Sequence, residues 1–115
     1  MNIEELRQYC IDKKEVTESF PFDKKTLVFK VVSKMFLITD VESELAMAVK
    51  CDPEKVEERR EQYAAVTHSS HLSKKHWNRV LLNDTIDNNI LKAWIDESYD
   101  LVVANLTRKE RATLL

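Results

Sequence analysis

No glycine occurs anywhere in the 115 residues, and this absence limits what the chain can fold into more than any residue that is present. Glycine enters the left-handed backbone region without a Cβ penalty. Every turn needing positive φ must therefore be made by Asn, Asp or Ser, the side chains that best tolerate it. Glycine-rich phosphate loops of either familiar kind are excluded, and with them the P-loop and Rossmann nucleotide enzymes that require bare backbone against a phosphate.

Hydrophobic periodicity predicts the elements. Asn2 and Glu5 have the spacing of a variant capping box, and Ile3, Leu6 and Cys10 recur at helical intervals, giving a first helix over about 3–12. The pattern then switches to alternation: Leu27, Phe29 and Val31 share one face of a strand over 26–32, Met35 to Thr39 follows, and Leu45, Met47, Val49 and Cys51 share a face of a third strand. Ala46, Ala48 and Lys50 lie on the opposite face, where the small residues admit a closely packed neighbour or make a lightly covered surface. Asp52-Pro53-Glu54 reads as a helix start, with Asp as cap and Pro in the first helical position, running to about Tyr63 with a broad solvated face. One or two further strands are expected between Ala65 and Leu82. From Asp87 a long helix is predicted, capped by Asp87, stapled by Ile86 and Leu91, and striped by Ile90, Leu91, Trp94, Ile95, Ser98, Leu101, Val102 and Asn105. Ser98 is expected to bond back to its own helix, and Tyr99 to bury its ring with its hydroxyl at the edge. The fold class is α+β in two layers, an antiparallel sheet covered by N-terminal and long C-terminal helices, as one domain over 1–115.

Hydrophobic residues at 43% and charged residues at 33% suit a globular chain. Met1-Asn2-Ile3-Glu4-Glu5 carries acids where a secretory signal carries cations, and no apolar run approaches the roughly 18 residues of a spanning helix, so a cytoplasmic, membrane-free protein is expected. Cys10 and Cys51 sit within apolar patterns and are expected as buried thiols. A net charge of −2 and a pI of about 5.9 disfavour a generally basic nucleic-acid binder. Any anion binding must be local.

Such a locality exists. From Gln62 to Asn83 there is no carboxylate, and all three histidines, His68, His71 and His76, fall inside this stretch beside Lys74, Lys75, Trp77 and Arg79. Cations interleaved with an indole suit stacking on a base while holding a phosphate. A solvated hairpin whose cations serve solubility explains the same residues. Strand parity places His76, Asn78, Val80 and Leu82 on one face and Trp77, Arg79 and Leu81 on the other. The histidines match no familiar zinc spacing and lack a nearby acidic or thiol ligand, so no metal or other cofactor is expected. Ser69, Ser70 and Ser73 lack an orienting carboxylate in their segment, and the pairs Glu4-Glu5 and Glu57-Glu58 read as solvated helix positions, so no catalytic residue is assigned.

Taken together, Pro21-Phe22-Asp23, Leu27-Val-Phe-Lys-Val31, Lys34-Met35-Phe36, His71-Leu-Ser-Lys-Lys-His-Trp-Asn78 with Val80, and Asp96-Glu-Ser-Tyr-Asp-Leu-Val102 resemble the YjbR/MmcQ-like family of small bacterial proteins. The likeness spans nearly the whole chain; its most specific parts are the Lys-x-His-Trp and Ser-Tyr elements. It implies a compact fold similar to the frataxin or CyaY type and a DNA-binding role, placing Lys74, Lys75, His76, Trp77 and Arg79 on the contact surface. Ser33, where the family often has glycine, and Asn83-Asp84, in place of a turn that often contains it, depart from the pattern at turns. The functional expectation is a non-enzymatic domain binding DNA weakly through this hairpin; the alternatives are an interaction module for an acidic protein partner and, third, frataxin-like metal handling.

Overall fold

A computed structural model describes residues 1–115. In chain order the elements are α1 (Ile3–Ile11), β1 (Val16–Ser19), β2 (Thr26–Val31), β3 (Lys34–Asp40), β4 (Ala46–Lys50), α2 (Val56–Gln62), β5 (Val66–Thr67), β6 (Trp77–Leu81), α3 (Asn88–Ala104) and α4 (Arg108–Ala112). The strands form one antiparallel sheet in the order β1-β2-β3-β4-β6-β5. The α+β expectation, an antiparallel sheet with an N-terminal helix and a long C-terminal one, is met.

Local chemistry sets the helix starts. The Asn2 side chain accepts the Glu5 amide at 2.8 Å, and the Asp87 carboxylate accepts that of Asn89 at 2.7 Å, each supplying an acceptor to an amide that lacks a helical partner. Ile86 and Leu91 are both buried, as a staple requires. Along α3 the buried positions are Leu91, Trp94, Ile95, Ser98 and Val102, a stripe laid across β2, β3 and β4. It meets two cross-strand rows of the sheet, Leu27-Thr39-Met47-Val80 and Phe29-Leu37-Val49-Asn78. Three side-chain contacts show that α1, α2 and α3 share this face: Arg7 with Glu18, Asn78 with Val56, and Ser98 with Phe36.

The β2–β3 ladder contains a bulge. Phe29 lies opposite Leu37 but Lys30 opposite Met35, so Phe36 is an extra residue. Phe36 and Leu37 are consequently both buried, with the Phe36 ring edge-on to Tyr99 at 5.5 Å. Ser98, 0% exposed, closes the opened ladder: its hydroxyl donates to the Phe36 carbonyl and accepts the Lys50 amide at 2.8 Å. Its bond goes across to the sheet, and the expected back-bond within the helix is replaced by two that link β3 to β4.

Positive φ occurs at Glu15 (57°), Val32 (46°), Ser33 (72°) and Asp84 (65°). Ser33 and Asp84 belong to the set predicted for a glycine-free chain; Val32 and Glu15 do not. A two-residue hairpin joins β2 to β3, and such hairpins favour positive φ at both central residues because that twist matches the strands. Val32 accepts this β-branched strain while packing against the core.

Three further differences from expectation are local. The second helix begins at Val56, because Asp52 instead closes a turn, its carboxylate taking the Glu54 amide at 3.0 Å and its carbonyl the Lys55 amide at 2.9 Å. β1 was hidden in the polar run Val-Thr-Glu-Ser at the sheet edge. α4, not expected from the hydrophobic pattern, carries a capping box between Thr107 and Glu110. Cys10 and Cys51 are free and buried, and no helix is long and apolar enough to cross a membrane.

Candidate binding cleft on the helix-free sheet face

Side chains alternate across strands, so the residues between the core rows point to the face opposite α3. One row there is Val28-Ile38-Ala48-Arg79-Thr67, and beyond it Lys50 pairs with Trp77. Ala46 and Ala48 are each 7% exposed, so this is no lightly covered surface. Their small side chains form the floor of a cleft.

The loop between β1 and β2 forms one wall. Asp23 folds it into a turn, its carboxylate accepting the amides of Lys25 at 2.9 Å and Thr26 at 2.7 Å and the Thr26 hydroxyl at 3.1 Å. The Lys25 amide is the largest influence holding the Asp23 carboxyl below its ordinary range. The turn presents Phe22, 67% exposed, toward the cleft. The loop between β5 and β6 supplies the other wall through Ser69, His71 and Leu72. An apolar lobe of about 490 Å³ contains Phe22, Met35, Ile38, Ala48 and Leu72. A polar lobe of about 330 Å³, reaching Asp40, Glu44, Ser70 and Arg79, shares Thr26, Ile38, Ala48, Ser69 and His71 with it. The two lobes therefore belong to one depression.

Of the residues expected to bind, only Arg79 lines this depression. Lys74 and Lys75 are exposed in the turn ahead of β6. His76 is half-buried in the same turn, and its carbonyl accepts the Cys51 amide at 2.8 Å. Trp77 is half-buried at the start of β6 and, with Arg79, sits on the face away from α3, as parity predicted. Arg79 lines the polar lobe. No group of His, Cys, Asp and Glu side chains converges as metal ligands would.

Arg60, read from sequence as a solvated helix charge, positions this segment. Its Nε donates to Asn78 Oδ1 at 2.7 Å, and its Nη2 donates to the carbonyls of Lys74 at 2.7 Å and Trp77 at 3.1 Å. Asn78 in turn donates to the Val56 carbonyl at 3.3 Å. Arg59 is also engaged, donating through two nitrogens to Glu97 at 2.8 and 2.9 Å with its guanidinium 5.0 Å from the Trp94 ring. Phe22, His71 and Ala48 were the site residues missed; their sequence signals were the Pro-Phe-Asp element, the acid-free histidine segment and the small residues of β4.

Fold and site together define a two-layer α+β domain with its helices on one face of the sheet, a loop-walled cleft on the other, and a basic turn ahead of β6. The chain belongs to the YjbR family, whose model matches residues 11–101. Uncharacterized protein YjbR of Escherichia coli K12 is 35% identical over 116 residues, covering 100% of this chain and 98% of that protein. Uncharacterized protein YbdF of Escherichia coli O157:H7 is 28% identical over 112 residues, covering 94% and 89%. Among solved structures, a Deinococcus radiodurans protein with a DUF419 domain superposes with a TM-score of 0.89 at 38% identity, covering 98% of this chain and 87% of that one. A Pseudomonas syringae protein shares the fold, with a TM-score of 0.77 at 22% identity over 88% and 98% of the two chains.

Proposed function

We propose that this domain is a non-enzymatic nucleic-acid contact module that binds DNA weakly through the basic turn and the adjoining helix-free face. The observation that carries this reading is the placement of Trp77 and Arg79 on the helix-free face, immediately after Lys74 and Lys75, in a stretch without a carboxylate. A base stacked on an aromatic side chain is worth about 1–3 kcal/mol, whatever its identity. Lys74, Lys75 and Arg79 are the phosphate partners, and His76 in the same turn adds a half-buried imidazole beside them. Because the chain as a whole carries −2, attraction is confined to this edge, and binding is weak and sensitive to salt.

Anisotropy titration of a labelled single strand and of the matching duplex at low salt tests the reading. Three phosphate contacts give a logarithmic salt slope of about −2 for the single strand and about −3 for the duplex. Lys74→Glu with Lys75→Glu, and separately Trp77→Ala, should each weaken binding. No binding at low salt, or binding indifferent to these changes, overturns it. Retrieval of one acidic protein through Trp77 after nuclease treatment would move the same surface to the alternative function, a protein interaction module.

A further inference from the structure

We infer that the cleft between the Phe22 loop and the Ser69–Leu72 loop is a binding site for a single nucleotide, with its base in the apolar lobe and its sugar and phosphate in the polar one. The inference goes beyond the proposed contact surface. It shares Arg79 with that surface, but it concerns one heteroaromatic unit and does not require a strand.

Four observations carry it. First, the lobes measure about 490 and 330 Å³, within the roughly 300–1,000 Å³ of small-ligand pockets. Second, the apolar lobe is lined by groups that suit a flat ring. Ala48 on its floor is small and nearly buried, Ile38 lies beside it in register, and Phe22 is a large aromatic held out into solvent at 67% exposure. Exposing that ring costs free energy, and the three bonds to Asp23 show that the loop is fixed in this position. Stacking of a base against Phe22 uses that exposed surface.

Third, the chemistry changes along the cleft in the order a nucleotide requires. The shared middle offers the Thr26 and Ser69 hydroxyls and the His71 imidazole, and the far lobe adds Arg79. Fourth, Arg79 is free to take a phosphate. It belongs to none of the four ion pairs of the chain, although it is half-buried on the sheet. A guanidinium offers five donors in a planar fork that suits phosphate oxygens. Two carboxylates also border this lobe. Asp40 is committed to the amides of Glu42 at 2.8 Å and Ser43 at 3.2 Å. Glu44 remains as an acceptor for sugar hydroxyls, and because both carboxylates are anionic the phosphate is assigned to Arg79, away from them. Neither lobe alone makes this case, since the first would take any small apolar ring and the second any small anion.

The test titrates uridine and adenosine 5′-monophosphate into the isotope-labelled full chain, following amide shifts, with inorganic phosphate as control and an oligothymidylate in parallel. Saturable shifts are expected at Phe22, Ala48, Ser69 and His71, at millimolar concentrations, with phosphate alone giving none at Phe22 or Ala48. Phe22→Ala should weaken mononucleotide binding about tenfold, and Ala48→Leu, which fills the floor, should abolish it. Phe22 is largely solvent-exposed, so its variant stays folded even if the Ala48 variant does not. Absence of saturable shifts, identical shifts with inorganic phosphate, or binding unchanged in Phe22→Ala overturns the inference. Oligothymidylate that binds through Trp77 with no mononucleotide site removes the cleft and leaves the contact surface standing. Mononucleotide in the cleft without strand binding does the reverse. Binding of both, with Ala48→Leu weakening both, identifies the occupant as one unit of a strand.

Discussion

Replacing Ser98 with Ala removes one hydroxyl from a site with no solvent exposure, and its consequence follows from the two bonds that hydroxyl makes. It donates to the Phe36 carbonyl, left without a ladder partner by the bulge, and accepts the Lys50 amide at 2.8 Å. Without it, a backbone acceptor and a backbone donor lose their partner at once. An unsatisfied buried group costs about 1–3 kcal/mol. The Lys50 amide has no second way to donate, whereas a carbonyl keeps another lone pair, so the sum should be about 3 kcal/mol. In urea this moves the unfolding midpoint down by roughly 1–3 M with an unchanged slope. Tyr99→Phe is the internal comparison, because it removes only the bond from the Tyr99 hydroxyl to the Lys14 carbonyl at 2.7 Å and should cost about 1 kcal/mol. Amide exchange provides the second readout, with the Lys50 amide losing protection in Ser98→Ala beyond the loss seen across β4. A cost below about 1 kcal/mol, or a Lys50 amide as protected as before, would refute the assignment of Ser98 as the link across the bulge.

Three other outcomes follow from the same geometry. Ser33→Gly relieves a left-handed position at φ 72°; set against the extra chain entropy of glycine, it should stabilise by about 0.5–1 kcal/mol, read as a rise of a few degrees in Tm, and a fall would contradict the turn assignment. Burial pushes the Cys10 thiol up to about 12 and the Cys51 thiol up to about 11, so neither should react with an aromatic disulfide reagent until the chain unfolds; since the unfolded thiols ionise at their ordinary, lower value, stability should decline as pH rises past it. The Asp23 carboxyl is held low by the amides it accepts, so its support of the Phe22 loop is complete above its ordinary range and lost as pH falls through the lower folded value; acid titration should accelerate exchange at Lys25 and Thr26 before the sheet opens, and simultaneous loss would count against this local role.

What was legible in the sequence was whatever is decided locally. α1 and α3 announced themselves because Asn2 and Asp87 are caps whose partners lie within one turn. The alternation in β2 and β4 likewise gave the core face. Asp52-Pro53-Glu54 misled because an Asp that caps a helix and an Asp that closes a turn use the same acceptor on nearby amides, and only the burial of Cys51 and Val56 on either side settles which forms. The cleft was illegible for a different reason. Phe22 and His71 are far apart in the chain, and they come together only because the connections before β2 and before β6 rise on the same side of the sheet. The role of Arg60 was hidden likewise, since a charge on a polar helix looks solvated until the carbonyls it caps are seen.

The Asp96-Glu-Ser-Tyr99 run, distinctive in sequence, is structural. In one turn of α3 these four consecutive side chains reach three parts of the fold: α1 with its connection to β1, α2, and the β3–β4 pair. Asp96 accepts the Tyr9 hydroxyl at 2.8 Å and pairs with Lys13 at the end of α1. Glu97 takes the Arg59 guanidinium of α2. Ser98 links β3 to β4, and Tyr99 donates to the Lys14 carbonyl ahead of β1. Successive helical residues point about 100° apart, so a turn can engage neighbours on several sides only when it is wedged among them, as this one is. Each of these side chains is spent on a partner within the chain, so this part of the resemblance reports a scaffold. The turn leading into β6 differs. There Arg60 holds the backbone of Lys74 and Trp77, while the lysines are exposed and the Trp77 and Arg79 side chains lie on the helix-free face. Fixed backbone beneath unspent side chains is the arrangement a binding surface needs, which is why the functional reading rests on the residues around Trp77 and Arg79 and not on the Ser-Tyr element, although both are equally distinctive in the sequence.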